Sequence, residues 1–151
     1  MAKNYRQGIF TPRNPQKYKG DYRRIEYRSG WELKLMMYLD RHPDVLEWSS
    51  EERWIPYWNP VKKKTARYFP DFWVKRLKRD GSIEIAILEV KPREETKPPA
   101  VQTGKRAMTK GYLYKVATFA TNKAKWEAAD KYCKSRGWKF IIMTAEDLGI
   151  K

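Results

Sequence analysis

Asp71, Glu89 and Lys91 are the residues whose types and spacing best suit chemistry. Pro70-Asp71 opens the apolar run Phe72-Trp73-Val74, and Glu89-Val90-Lys91 closes an isoleucine-rich run that starts near Ile83. Residues two apart on a strand leave the same face, so Glu89 and Lys91 point the same way. Arg79-Asp80-Gly81-Ser82 between the runs is a turn signal, and a hairpin there returns Asp71 to the Glu89 end. Two carboxylates and an ammonium at one end of a sheet suit a hard divalent ion, Mg²⁺ above all, with Mn²⁺ as a substitute. Such an ion acidifies a bound water and neutralises charge growing on a phosphate. A lysine beside it places the water or stabilises transition-state charge. A solvated ion pair at two strand ends is the plain alternative, since Glu-x-Lys alone is common by chance.

The elements that would position these residues can be read in turn. Tyr27 to His42 forms a first helix, with Ser29 as N-cap, Glu32 completing a capping box onto the Ser29 N–H, and Pro43 as the stop. Glu32 also lies in phase with Leu35, Met36 and Leu39. That phase turns its carboxylate inward, where an unpaired charge is costly, and a metal shared with Asp71 and Glu89 would satisfy it. A strand is expected near Arg53–Tyr57, then a basic tip at Lys62-Lys63-Lys64, then strands over Arg67–Lys75 and Ser82–Val90. Both faces of the last are apolar, which marks a central, doubly covered strand. Pro92 to Lys110 reads as a long basic loop, and Tyr112–Ala120 is apolar but of undecided type. Asn122 is the expected N-cap of a helix through Arg136, closed by Gly137. Trp138–Thr144 is a final strand and Ala145–Leu148 a single helical turn. The order implies an α/β fold: an antiparallel meander, then a helical crossover to a parallel edge strand, giving a mixed sheet between helices. Residues 1–21 show no period and read as a basic N-terminal arm. Residues 22–151 read as a single domain with a basic loop near 92–111.

Charge names the partner. Thirty-three Lys+Arg against 18 Asp+Glu give a formal net charge of +15. Such an excess attracts a polyanion, with nucleic acid the leading candidate and an anionic membrane surface the weaker one. Lys62, Lys63, Lys64, Lys105, Arg106, Lys110 and Lys125 are candidate phosphate contacts, the alternative for each being a solvated turn or helix face. A single cysteine, Cys133, excludes an intrachain disulfide and a cysteine-based zinc site, and a single histidine, His42, leaves little room for histidine-based catalysis. No apolar leader and no run of 18 apolar residues is present. The expectation is an intracellular, reduced protein with no membrane span.

With Glu32 on the first helix, Pro70-Asp71, and then Glu89-Val90-Lys91, the sequence resembles the PD-(D/E)xK nuclease superfamily. The resemblance implies a restriction-endonuclease-like mixed β-sheet flanked by helices, in an α-β-β-β-α-β core. Longer runs are similar to the head completion nucleases of large tailed phages: Tyr27-Arg28-Ser29-Gly30-Trp31-Glu32, Arg67-Tyr68-Phe69-Pro70-Asp71-Phe72 and Lys123-Ala124-Lys125-Trp126-Glu127. That family implies a metal-dependent DNA endonuclease acting on DNA ends after packaging. Its cofactor would be Mg²⁺, held by Glu32, Asp71, Glu89 and the Val90 carbonyl, with Lys91 placing the water. It also implies portal, neck or head proteins as neighbours, and a place in the host cytoplasm or the virion. The leading rival is a non-catalytic DNA-end or portal-associated structural protein.

Overall fold

In the computed structural model, whose described residues are 7–144 and 146–148, strand alternation sorts the apolar side chains onto two faces of one sheet. The elements are β1 (Gly8–Phe10), β2 (Ile25–Tyr27), α1 (Gly30–Arg41), β3 (Val45–Ser50), β4 (Ile55–Asn59), β5 (Lys64–Tyr68), β6 (Phe72–Leu77), β7 (Ile83–Lys91), α2 (Lys110–Arg136) and β8 (Lys139–Thr144). The main sheet has the order β3-β6-β7-β8. Its first three strands pair antiparallel, and β8 adds to β7 in parallel. This is the expected meander and crossover, and the fold is restriction-endonuclease-like. Two small antiparallel ribbons, β1–β2 and β4–β5, flank it.

Each face of β7 buries a different core. Ala86, Leu88 and Val90 pack with Leu35, Met36 and Leu39 of α1 and with Trp48, Phe72 and Val74. Ile87 packs on the opposite face with Trp73, with Ala129 and Cys133 of α2, and with Ile55, Tyr57 and Tyr68 of the β4–β5 ribbon. Glu89 shares the parity of Ile87, so it leaves on the side covered by α2 and the ribbon. Among the described residues no helix is long and apolar enough to cross a membrane.

Several elements differ from the expectations. The single strand expected over Arg67–Lys75 is two, β5 and β6, broken at Phe69-Pro70-Asp71. Pro70 has no N–H to give a ladder, and the chain leaves the ribbon there to enter the main sheet. The strand expected at Arg53–Tyr57 is β4, which belongs to the ribbon, while the third strand of the meander is β3, at Val45–Ser50. Asn122 is not an N-cap. The helix α2 starts twelve residues earlier, at Lys110, where the Thr109 hydroxyl accepts from the Tyr112 N–H at 3.2 Å. Gly137 closes it as expected, with φ at +71°. The 92–110 segment contains two 3-10 turns, Arg93–Thr96 and Gly104–Met108. Residues 7–21 lie on the domain: Phe10 and Tyr18 are buried, and the Arg13 and Asn14 N–H groups donate to the buried Asp40 carboxylate at 2.8 and 3.0 Å. Met1–Arg6 and Ala145 fall outside the described residues, and Glu146–Leu148 is a 3-10 turn.

Candidate active site

Register assembles the site. Phe72 pairs with Leu88, so Asp71, one step before β6, falls opposite Glu89. Ser50 pairs with Phe72, so Glu51, one step beyond β3, falls opposite Asp71, and its N–H donates to the Asp71 carbonyl at 3.1 Å. Glu51, Asp71 and Glu89 thus form one row across the ends of three neighbouring strands.

The side chains are tied individually. Asp71 Oδ2 accepts from the Val90 N–H at 2.7 Å, and Glu89 Oε2 accepts from the Tyr68 hydroxyl at 2.6 Å. Lys91 Nζ lies 3.8 Å from Glu89 Oε1. Burial first, and the Glu89 charge second, push the Asp71 carboxyl up to about 8, against the pull of the Val90 N–H. Burial likewise raises Glu89, opposed by Tyr68 and Lys91. A half-buried Asp71 and a buried Glu89 with one lysine beside them carry more negative charge than their surroundings compensate. They keep it at neutral pH only by sharing a proton or gaining a cation. Their oxygen donors suit a hard divalent ion, and the group fits. The Val90 N–H faces Asp71, and strand geometry sends the Val90 carbonyl to the same edge.

The structure brings Asp71, Glu89 and Lys91 together and sets Glu32 beside them. Glu32 raises the Asp71 pKa through its charge. Its own Oε2 accepts from the Arg28 N–H rather than from Ser29, while its N–H donates to Ser29 Oγ at 3.2 Å. The capping box is therefore present but displaced by one residue. Among the described residues no three His, Cys, Asp or Glu side chains gather closely enough to hold one metal ion.

Sequence reasoning missed Tyr68, Glu51 and Arg28. All three line a cleft of about 490 Å³ with Arg67, Phe69, Glu89 and Lys125. Glu51 adopts φ +52°, a left-handed conformation unusual for a residue with a side chain. Its Oε1 is 3.1 Å from the Arg28 guanidinium, and burial raises its pKa. The Lys125 ammonium lies 5.7 Å from the Tyr68 ring centre, and burial lowers its pKa against the pull of Glu89. Of the basic residues chosen for DNA, Lys125 alone lines this cleft. Lys62, Lys63 and Lys64 are exposed at the tip of the β4–β5 ribbon. Lys105, Arg106 and Lys110 are exposed around the start of α2, with Lys110 about 22 Å along the helix from Lys125 at 1.5 Å per residue.

The mixed sheet, its crossover helix and the acid pair at the strand ends define a restriction-endonuclease-like protein, and the chain belongs to the TnsA-like endonuclease N-terminal family, which matches residues 42–145. That span takes in Asp71, Glu89 and Lys91 and begins after Glu32. Over 142 residues the chain is also 37% identical to the head completion nuclease of Enterobacteria phage T4, covering 93% of this chain and 92% of that protein.

Proposed function

We propose that the chain is a Mg²⁺-dependent endodeoxyribonuclease, with Mn²⁺ able to substitute, that hydrolyses phosphodiester bonds at DNA ends as a phage head is completed. On this reading it works in the host cytoplasm, has portal, neck or head proteins as neighbours, and is incorporated in the virion. The observation that carries the reading is the pair of half-buried Asp71 and buried Glu89 with Lys91 at its edge.

Asp71 and Glu89 would hold the ion, with the Val90 carbonyl on the same edge and Glu32 adding negative field. When bound, the ion polarises the scissile phosphate and acidifies a water. Tyr68 fixes the orientation of Glu89 through its hydroxyl. Lys91 sits where its ammonium can orient the attacking water or neutralise charge developing on the phosphate. Arg28 and Lys125 offer cationic walls for flanking phosphates. Phosphate contacts carry no sequence information, so preference falls on DNA shape or ends.

The test is incubation of the protein with linear, branched and supercoiled DNA, with and without Mg²⁺ or Mn²⁺, beside Asp71→Ala and Lys91→Ala. Metal-dependent cutting lost in both variants is expected. Equal cutting by the variants, or none by the parent, overturns the reading. Binding with a steep salt slope and no cutting favours the structural role instead.

A further inference from the structure

The β4–β5 ribbon has a buried face and an open one. Ile55, Tyr57 and Tyr68 are buried against the domain. On the other face Trp54, Trp58 and Phe69 are 46%, 58% and 45% exposed, together with Pro56 and Arg67. Single exposed aromatics are ordinary, but three large ones on one short ribbon are not explained by packing. Pro56 pairs with Arg67, and one step beyond the Ile55–Tyr68 pair sets Trp54 beside Phe69. The Arg67 guanidinium lies 4.8 Å from the Trp54 ring centre. Same-face neighbours on a strand stand about 6.8 Å apart, roughly two steps of stacked bases at 3.4 Å each.

Charge identifies the occupant. Arg67 lies on this face, Lys62, Lys63 and Lys64 are exposed at its tip, and residues 53–69 hold no acid, while Arg53 turns to Trp73 and Trp138 on the other side. The face therefore suits a polyanion better than an apolar protein partner. Arg67 and Phe69 also line the cleft that contains Glu89. The face is therefore continuous with the acid pair. Within a duplex each base already stacks on its neighbours, whereas an unpaired base offers a free face to an aromatic ring.

We propose that this outer face is a stacking platform for unpaired nucleotides beside the cut, so that the substrate class is DNA carrying a single-stranded segment at an overhang, flap or junction. The place of the cut rests on the nuclease reading, but occupancy of the platform can be read by binding alone. Fluorescence anisotropy in EDTA would compare a blunt duplex, the same duplex with a single-stranded tail, and the tail strand by itself. The parent is expected to favour the tailed DNA. Trp58→Ala and Phe69→Ala are expected to weaken tailed binding by about fivefold to a hundredfold, the range for one base stack removed, and to bring the tailed-to-blunt ratio toward one. Trp58→Phe keeps the preference, and thermal melts establish that each variant is folded. Equal affinity of the parent for tailed and blunt DNA overturns the platform. So do alanine variants that keep the ratio, an outcome that assigns the face to a protein partner. Cleavage of the same DNAs with Mg²⁺ separates the two readings. Tail-selective binding without cutting sinks the nuclease and leaves the platform. Cutting with no tail preference does the reverse.

Discussion

Asp71 concentrates the consequences of the site in one carboxyl group. Its ordinary value of 3.8 rises to about 8 in the fold. Between those values the native state holds a proton that the unfolded chain has released, so stability falls as pH rises from about 4 to about 8. Asp71→Asn has no such proton to lose. In EDTA it should melt above the parent at pH 8 by several degrees, at about 2–4 °C per kcal/mol for a chain of this size, and match it near pH 4. Added Mg²⁺ should raise the parent's melting temperature at pH 8 and leave the variant's unmoved. A gap that does not change with pH would count against the buried charge. Tyr68→Phe removes the donor to Glu89 Oε2 and leaves a buried acceptor unpaired. Urea unfolding at pH 7 should show a loss of about 1–3 kcal/mol, and no loss would mean that the hydroxyl does not support Glu89. The Asp71, Glu89 and Lys91 triplet was legible because strand parity and one turn signal place all three. Tyr68 and Glu51 were not, because their contacts come from register between strands far apart in the chain. Local pattern at Val45–Trp58 pointed to Arg53–Tyr57 and hid the end of β3.

The helix α2 shows why half an element can be silent in sequence. Its buried residues are Asn122, next to its midpoint, and Ala129 and Cys133 beyond it. Leu113, Tyr114 and Val116 in the first half are 50%, 72% and 40% exposed. With no covered stripe, the first turns carry no helical period to read, and Asn122 imitates a cap because its burial is decided by tertiary contacts. The start at Thr109 then depends on its hydroxyl. Thr109→Ala should cost about 1 kcal/mol, seen as faster amide exchange over residues 110–117 with the protection of β7 unchanged. A loss spread evenly over the chain would show instead that this half is not a separate unit. The basic cluster before and at this helix start makes a second prediction. Replacing Lys105, Arg106 and Lys110 by Ala should weaken binding to every DNA alike and reduce the salt slope by about one for each phosphate no longer neutralised. A change confined to one substrate shape would place these residues in recognition rather than attraction.

At the scale of the whole molecule, the +15 charge and the acid pair oppose one another: the surface draws in a polyanion and the strand ends repel it. A cation at the pair would resolve the opposition, and on the proposed reading phosphate and cation should bind better together than apart. The class of fold was legible because the order of helix, meander, helix and strand permits few arrangements. The β4–β5 ribbon was legible only in part: β4 alternates buried and exposed residues and was expected at Arg53–Tyr57, but its place outside the main sheet is decided by tertiary pairing. The topology also fixes an order of events. Glu89 and Lys91 sit on a strand whose second neighbour, β8, is the last strand among the described residues, with Lys91 registered against Thr144. During synthesis the Glu89–Lys91 end of β7 therefore lacks its β8 neighbour while about fifty further residues are added, several seconds at ribosomal rates of about 5–20 residues per second. A chain ended at residue 138 should lose amide protection at Lys91, while Val90 keeps its bond to Asp71, and should not cut DNA. Protection equal to that of the full chain would refute the dependence. A nascent chain that stalls or is abandoned before β8 should therefore leave no active nuclease in the cell that made it.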